Sequence, residues 1–342
     1  MNSNIERFAL CKRIVDSYNF TLKYQEKISQ RRVPNMWENH LVPWAGNVTT
    51  AAYNKNIEDL AYLLKNPKKH SMLWGIDNHL CKERNEMSNN IIKQVILNTC
   101  YSIGILHFPN PEHPRYSILI EEHRNYDIEK ILIRFDDYFG FTIDFPSVFN
   151  DEAGLPCSRG LIAYRAAHAL YFLHRMKESL PNDTDFTKLR VLELGGGIGR
   201  LAYYAAKMGV AKYTILDIPS TALIQGYFLE SALGENTVSL YGEGVNPTRT
   251  INIIPPEEYL NIGKEYDIIV NFDGITEYGW ENAKRYINHF PNICSIFLSI
   301  NHEYNEYKVQ QLYFYERNKF KCLGRFNSWY REGYIEETIL AL

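Results

Sequence analysis

A glycine-rich segment carries the strongest chemical signal in this 342-residue sequence. Gly195, Gly197 and Gly199 recur at every second position and directly follow the apolar segment Arg190–Leu194, and the residue between the first two is also a glycine. Glycines at this spacing allow a tight turn and let a ligand approach the backbone at the start of a helix. Glu193 lies two residues before the first glycine. The pattern therefore predicts a strand, a ligand-binding turn and a helix, with an acidic side chain beside the turn.

A second acidic residue extends this signal. Asp217 is expected at the end of the next strand, where a carboxylate accepts hydrogen bonds from both hydroxyls of a ribose. We therefore expect a cofactor that contains a ribose. The segment from Gly197 to Ala202 also fits the G-x-G-x-x-A pattern of dinucleotide-binding proteins, so a nicotinamide dinucleotide is one alternative.

Polar residues after two later strands are candidates for catalysis. Asp273 and Glu277 follow a predicted strand over 266–272, and His302 follows another over 295–300. Because open α/β sheets bind ligands at the carboxyl ends of their strands, we expect the three side chains on one side of the cofactor. His302 is the preferred general base, since imidazole titrates near neutral pH. Glu277 could equally cap the helix that follows it.

A metal ion is the alternative to a histidine base. Asp273, Asn301 and Glu277 carry oxygen ligands that could gather around Mg²⁺. The segment after the later strand reads Asn301-His302-Glu303 and offers few acidic ligands. We therefore predict a site without a metal.

Alternating apolar and helical segments predict the elements that position these residues. Repeated βα units and a parallel sheet fit the region after Lys188, with strands over 190–194, 213–218, 238–241, 266–272 and 295–300. An antiparallel pair over 320–326 and 334–340 closes one edge. Earlier residues are mainly helical, with predicted helix starts at Ser3, Asn56, Ser88, Asp127 and Ser158. We place a boundary near residue 150, between a helical region over 1–150 and an α/β domain over 151–342.

Composition narrows the function. Lys plus Arg number 37 and Asp plus Glu 40, so a net charge of -3 argues against a protein that binds duplex nucleic acid. No apolar run is long enough to span a membrane, and we expect no secretory signal. The six cysteines are scattered, without the spacing of a zinc site. We expect a cytoplasmic protein with a small-molecule partner and leave its oligomeric state open.

The sequence from Glu193 to Gly199 resembles motif I of class I S-adenosylmethionine-dependent methyltransferases. The resemblance spans residues 150–342 and implies a Rossmann-like α/β fold with a seven-stranded, mostly parallel sheet. It implies S-adenosylmethionine as the cofactor, whose cationic amino-acid end suits an acidic motif. It also implies that Glu243 lies near the adenine, after the third strand, and that Asn271 contributes to the cofactor site.

One subgroup of these enzymes is more similar still. The Asn271-x-Asp273-x-x-x-Glu277 loop and Ser299-Ile-Asn301 resemble the sugar O-methyltransferases of bacterial surface-glycan loci. This resemblance implies methyl transfer to a hydroxyl of a sugar or nucleotide-sugar. The alternatives are a methyltransferase for a peptide or other small metabolite, an NAD-dependent oxidoreductase, and a cofactor-binding protein without activity.

The region over 1–150 has no motif of its own, and we expect it to contribute to the acceptor pocket. Trp37, Trp44 and Trp74 offer flat aromatic faces that suit sugar rings, although tryptophan more often packs in a core. Arg159 and Arg165 could reach a substrate phosphate, although a solvated helix face is the more common place for such residues.

Overall fold

The computed structural model describes residues 4–28, 37, 46–69, 73, 76–77, 85–244 and 246–342. In this part of the chain, the region before residue 150 is helical: α1 Asn4–Lys27, α2 Gly46–Tyr53, α3 Ile57–Lys65, α4 Asn85–Ile103, α5 Tyr116–Arg124 and α6 Ile128–Phe139. A short antiparallel hairpin follows, with β1 Leu155–Cys157 and β2 Gly160–Ile162. Among the described helices, none is both long enough and apolar enough to cross a membrane.

Strands and helices alternate in the second half. The helices are α7 Tyr164–Glu178, α8 Arg200–Lys207, α9 Pro219–Leu233, α10 Trp280–His289 and α11 Val309–Tyr313. The strands are β3 Arg190–Leu194, β4 Lys212–Leu216, β5 Val238–Leu240, β6 Ile251–Ile254, β7 Ile268–Phe272, β8 Ile296–His302, β9 Phe320–Asn327 and β10 Tyr334–Ala341.

These eight strands form one sheet in the order β5-β6-β4-β3-β7-β8-β10-β9. The neighbours from β5 to β8 pair in parallel, and β10 pairs antiparallel with both β8 and β9. The mostly parallel sheet with an antiparallel pair at its end is therefore confirmed. The predicted number of seven strands is wrong, because the sequence prediction omitted β6. This strand has only four residues and is followed at once by Pro255 and Pro256.

The extra strand changes the order at one edge of the sheet. β6 pairs with β4, so β5 pairs only with β6 and becomes the edge strand. The segment after β5, which contains Glu243, therefore lies one strand further from the centre of the sheet than predicted.

Local capping explains several helix ends. The Asn56 side chain accepts a hydrogen bond from the Asp59 amide at 3.2 Å, and Asp127 caps α6 through the amide of Glu129 at 3.0 Å. Both predicted starts are confirmed. Ser158 is not a cap, because it lies in the β1–β2 hairpin and α7 begins at Tyr164.

Two further predicted starts have different outcomes. Ser88 is not a helix start, because α4 already begins at Asn85. Ser3 lies outside the described residues.

Alternate residues of each strand point to opposite faces of the sheet, and both faces are covered. On one face, Val191 and Val270 belong to a large core that includes residues of α1, α3, α4, α6, α7, α8 and α9. On the other, Leu192 and Ile269 pack with residues of α10 and α11. The N-terminal helices therefore share a core with the sheet and can present side chains at its edge.

Candidate active site

A pocket opens at the carboxyl ends of β3, β4 and β7, and the glycine turn forms one side of it. Gly195, Gly197 and Gly199 have φ values of 75°, 58° and 92°, in the left-handed region that favours glycine. A Cβ at Gly199 would lie 2.8 Å from Leu229, so this glycine is needed for packing against α9. A Cβ at Gly197 would meet only Ile76, at 3.5 Å, so this position faces the pocket.

Glu193 lies beneath this turn and lines the pocket. Its side chain is buried, and Oε2 has no hydrogen-bond partner among the described residues. Burial raises the pKa of Glu193 to about 8, with a further increase from Asp217 and a partial offset from the Tyr213 hydroxyl. The ionised form of a carboxyl group buried in this way is costly, and a cation placed in the pocket would stabilise that form and give Oε2 a partner.

Asp217 lines the same pocket at the end of β4. One of its oxygens accepts the Ile218 amide at 2.8 Å, and the other accepts Nε2 of Gln225 at 2.6 Å. Burial raises the pKa of Asp217 to about 7 despite these bonds. Gln225 also donates to the Gly197 carbonyl at 2.8 Å, so a residue of α9 fixes the carboxylate and the glycine turn together.

Asp273 stands at the first position after β7 with φ 57°, an unusual conformation for a residue other than glycine. Arg165 donates to its Oδ2 at 3.3 Å, and the Tyr334 hydroxyl donates to its Oδ1 at 2.9 Å. Strained backbone of this kind persists where surrounding contacts hold it, and it is frequent at functional sites. Arg159, the other arginine considered for a substrate phosphate, instead pairs with Asp136 at 2.7 Å.

His302 and Glu277 lie next to Asp273. Nε2 of His302 lies 3.7 Å from Oδ1 of Asp273 and 3.7 Å from Oε1 of Glu277. Glu277 is the main cause that raises the pKa of His302 above its usual value, with a smaller increase from Asp273 and an opposing effect of burial. The Trp37 indole donates to Oε2 of Glu277 at 2.5 Å. Trp44 and Trp74 lie outside the described residues.

One ligand atom each from Asp273, Glu277 and His302 lies within 4.8 Å of the others, so these three side chains could hold a metal ion. Asn301, the third ligand considered from the sequence, does not join them. It donates to Asn271 at 2.9 Å and to Ser299 at 2.8 Å, and it accepts the Gly274 amide at 2.8 Å.

Asn271 is not among the residues that line the pocket. Its amide donates to the Leu194 carbonyl at 2.7 Å, and its oxygen accepts the Ile275 amide at 2.9 Å as well as the Asn301 amide. With these bonds it fixes the loop after β7 to the end of β3. Asn271 therefore positions the loop that carries Asp273, whereas the sequence predicted contact with the cofactor.

Glu243 also lies outside this pocket. It accepts hydrogen bonds from Arg13 of α1 at 2.6 Å and from Arg249 at 2.6 Å. The physical reason is the position of β5 at the sheet edge, where α1 covers the following turn. The structure thus places Glu193, Gly195, Gly197, Asp217, Asp273 and Glu277 around the pocket, with His302 beside it. Gly199, Glu243 and Asn271 are not among the lining residues.

Sequence reasoning missed a buried ion cluster on the pocket wall. Arg200 directly follows the glycine turn and pairs with Asp77 at 3.2 Å and with Glu152 at 2.5 Å. Its side chain is 5% exposed and those of its partners 1% and 3%, so this cluster is inside the protein. Asp77 comes from the N-terminal region, and no local sequence pattern marks this contact.

Comparisons with known proteins give structural neighbours only. The sequence matches no protein-family profile and no curated protein. Magnesium protoporphyrin IX methyltransferase from Synechocystis PCC 6803, solved with bound S-adenosylhomocysteine, is 14% identical with a TM-score of 0.39 and covers 63% of this chain and 100% of its own.

Two other neighbours are also methyltransferases. Ribosomal protein L11 methylase from Lactobacillus delbrueckii subsp. bulgaricus is 16% identical with a TM-score of 0.37, over 58% of this chain and 90% of its own. An S-adenosylmethionine-dependent methyltransferase from Aquifex aeolicus is 11% identical with a TM-score of 0.36, over 49% of this chain and 88% of its own. A functional assignment for this chain therefore depends on the residues of its own pocket.

Proposed function

We propose that this chain binds S-adenosylmethionine in the pocket at the glycine turn and methylates a hydroxyl of a sugar or nucleotide-sugar. The observation that carries the proposal is the buried Glu193 side chain, whose Oε2 has no hydrogen-bond partner among the described residues and which lines the pocket together with Gly195–Gly197. In its ionised form Glu193 would pair with the cationic amino-acid end of a cofactor and would repel the pyrophosphate of a dinucleotide.

The residues present fit each part of this cofactor. Glu193 would face its ammonium group, Asp217 would accept its ribose hydroxyls, and Gly197 would allow it to approach the turn. When bound, S-adenosylmethionine supplies an electrophilic methyl group on a sulfonium ion. The protein's own task is then to place the acceptor hydroxyl in line with that methyl and to remove the hydroxyl proton.

His302 is suited to take this proton at Nε2. Asp273 and Glu277 lie at equal distances from that atom, and both would stabilise the imidazolium after the transfer. Arg165 and Tyr334 hold Asp273, while Trp37 holds Glu277, so the two carboxylates are fixed before the acceptor arrives.

The side chains around this point support a sugar acceptor. Carboxylates accept hydrogen bonds from hydroxyl groups, and Trp37 brings a half-buried indole beside Glu277. Trp37 and Ile76 belong to the N-terminal region and line the pocket, which supports a contribution of that region to acceptor binding. The stacked rings of Phe172 and Phe272, with centroids 4.2 Å apart, add an apolar wall to the pocket.

Calorimetry tests the cofactor assignment. The protein should bind S-adenosylhomocysteine, and NAD should not compete. Asp217→Ala should weaken binding by about 1–3 kcal/mol, because two ribose hydroxyls lose a charged acceptor. The matched control is Asp267→Ala, which removes a carboxylate that pairs with Arg190 at the start of β3, the opposite end of that strand. Binding of NAD without any heat from S-adenosylhomocysteine would show that the assignment is wrong.

Turnover tests the acceptor. The protein should transfer methyl groups from S-adenosylmethionine to at least one member of a panel of sugars and nucleotide-sugars, detected by mass spectrometry. Methylation of peptides or other metabolites, with none of any sugar in the panel, would retain the cofactor assignment and reject the sugar.

A further inference from the structure

The turn between β9 and β10 carries an arginine close to the proposed base. Arg331 lies three residues before Tyr334, and Tyr334 is the strand partner of His302 in the β8–β10 pair. The rings of Tyr334 and His302 have centroids 5.5 Å apart. The guanidinium carbon of Arg331 lies over the same tyrosine ring, 5.7 Å from its centroid. The Tyr334 ring is therefore in contact with both the imidazole and the charge of Arg331.

Two buried tyrosines hold this guanidinium at the protein surface. Nη1 of Arg331 donates to the Tyr164 hydroxyl at 3.2 Å. Tyr164 is 5% exposed and Tyr334 is 6% exposed, whereas Arg331 is exposed. Tyr164 takes one of the five N–H donors of a guanidinium, so donors remain for a ligand. The charged group is therefore held in place before a ligand arrives and is still accessible to it.

Arg331 has no carboxylate partner. Arg159 and Arg165, the two arginines that the sequence suggested for a substrate phosphate, pair with Asp136 at 2.7 Å and with Asp273 at 3.3 Å. Among the described residues, no carboxylate lies within ion-pair distance of Arg331, whose guanidinium contacts only tyrosine side chains. The charge of Arg331 is therefore available to an anionic ligand, whereas the charges of the other two are already balanced.

We propose that Arg331 binds a phosphate group of the acceptor, so that the substrate class is a sugar phosphate or nucleotide-sugar and not an uncharged sugar. The inference rests on the proposed function, because it takes a sugar hydroxyl as the methyl acceptor. A planar guanidinium donates two parallel hydrogen bonds to phosphate oxygens. With the phosphate at Arg331, the sugar ring lies beside Tyr334 and one of its hydroxyls lies at Nε2 of His302.

The neighbouring carboxylates give this binding mode its direction. Asp273 and Glu277 lie 3.7 Å from Nε2 of His302 and would repel a phosphate placed at that point. The same carboxylates accept hydrogen bonds from sugar hydroxyls. The anionic end of the acceptor is therefore held at Arg331 and the hydroxyl end at the base, which orients the sugar for transfer.

Phosphate binding would also affect the base. Glu277 is the main cause that raises the pKa of His302, whereas Arg331 lowers it. A phosphate that balances the charge of Arg331 would remove this opposing effect. His302 would then be a stronger base when the correct acceptor is bound than when the site is empty.

Binding to the full chain loaded with S-adenosylhomocysteine tests the phosphate site. The probes are a panel of hexose 1-phosphates, the corresponding hexuronic acids and the parent hexoses, measured by calorimetry. The wild type should bind a hexose 1-phosphate more tightly than its parent hexose. Arg331→Met removes the charge and the donors and should weaken this binding by about tenfold or more. Arg331→Lys should recover part of the affinity, because an ammonium keeps the charge without the planar fork.

Steady-state kinetics separate phosphate recognition from an indirect effect on the base. The ratio of kcat/KM for a hexose 1-phosphate to that for its parent hexose should fall by about tenfold or more in Arg331→Met. Both acceptors use His302, so a change in its pKa largely cancels in this ratio.

Arg317→Met is the matched control. Arg317 is also exposed and also lies over an aromatic ring, that of Phe314, at 4.5 Å. It precedes β9, at the end of that strand opposite the turn that carries Arg331. This variant should keep the wild-type affinity and the wild-type ratio.

The outcomes separate the two proposals. If the wild type binds no S-adenosylhomocysteine, or methylates no sugar or nucleotide-sugar, the proposed function fails. If it methylates uncharged sugars at least as well as their phosphates, and Arg331→Met leaves the ratio unchanged, the proposed function stands and the phosphate site is overturned. Tighter binding of hexuronic acids than of hexose 1-phosphates would also reject phosphate as the group that Arg331 binds.

Discussion

At the scale of single residues, Asp273, Glu277 and His302 come from the ends of two neighbouring strands, and more distant residues hold the two carboxylates. Arg165 of α7 and Tyr334 of β10 contact Asp273, while Trp37 contacts Glu277. These contacts fix the carboxylates around Nε2 of His302. Because Glu277 and Asp273 stabilise the protonated form of His302, the pKa of His302 is raised above its usual value.

The first prediction concerns this base. His302→Ala should lower kcat by about 100-fold or more with little change in S-adenosylhomocysteine affinity, the usual contribution of a general base. Steady-state kinetics with the identified acceptor provide the measurement, and His107→Ala is the control because His107 is exposed. Equal rates for His302→Ala and the wild type would remove His302 from the mechanism.

The pH profile gives a sharper form of this test. A base must be neutral to accept a proton, so kcat/KM should rise with pH, and its midpoint should lie above 6.5 because the pKa of His302 is raised. Glu277→Gln removes the main cause of the increase and should move the midpoint to lower pH. EDTA should have no effect on turnover. Loss of turnover in EDTA with recovery on adding a divalent ion would instead assign Asp273, Glu277 and His302 as metal ligands.

At the scale of elements, the turn between β3 and α8 combines two uses of glycine. Gly199 has no room for a side chain because Leu229 of α9 packs against it, while Gly197 faces the pocket and its carbonyl is held by Gln225. Contacts with α9 therefore fix one side of the turn, and the other side faces the pocket, where a ligand can bind. The loop after β7 is fixed in a comparable way by Asn271 and Asn301.

The second prediction separates backbone strain from contact with the ligand. Gly197→Ala should weaken S-adenosylhomocysteine binding by about tenfold or more, because its Cβ would enter the space of the cofactor. Gly209→Ala is the matched control, since Gly209 also has a positive φ, 91°, and a Cβ there would meet open space after α8. Both variants should lose similar stability in urea denaturation, and only the first should lose affinity. Equal affinity for the two variants would place the cofactor away from Gly197.

At the scale of the whole molecule, the protonation of two buried carboxyl groups in the pocket affects the free energy of unfolding. Burial raises the pKa of Glu193 to about 8 and that of Asp217 to about 7, above the values of about 4 that such groups have in an unfolded chain. The folded protein therefore binds more protons than the unfolded chain between these values. A group of this kind stabilises the fold at low pH, and the contribution is lost as the pH rises through the folded-state pKa.

The third prediction follows from this loss of stability with rising pH. The free energy of unfolding of the ligand-free protein should fall between about pH 6.5 and 8, and Glu193→Gln should reduce the slope because an amide does not titrate. This window lies above the range in which His174 acts in the opposite direction, since burial lowers the pKa of His174 to about 3. Urea denaturation at several pH values measures the effect, with Glu58→Gln as the control because Glu58 is exposed on α3. An unchanged slope in Glu193→Gln would show that Glu193 is already ionised in the folded protein.

Residue type and spacing were sufficient to predict the features that involve near neighbours in the chain. Residue type and order predicted the strand β3, the glycine turn after it and the position of Asp217. Parallel strands end at the same edge of a sheet, so the sequence also predicted that Asp273, Glu277 and His302 lie near one another. Asn56 and Asp127 are helix caps because capping involves only the next two or three residues.

The contacts between residues that are far apart in the chain became visible only in the folded structure. The short β6 inserted between β4 and β5 and moved Glu243 to the sheet edge, and hydrogen bonds between strand ends turned Asn271 into a support for its loop. The contact of Arg13 with Glu243 joins residues 230 positions apart, and that of Trp37 with Glu277 joins residues 240 apart. Such contacts arise from how helices pack across a completed sheet, and residue spacing along the chain carries no information about that packing.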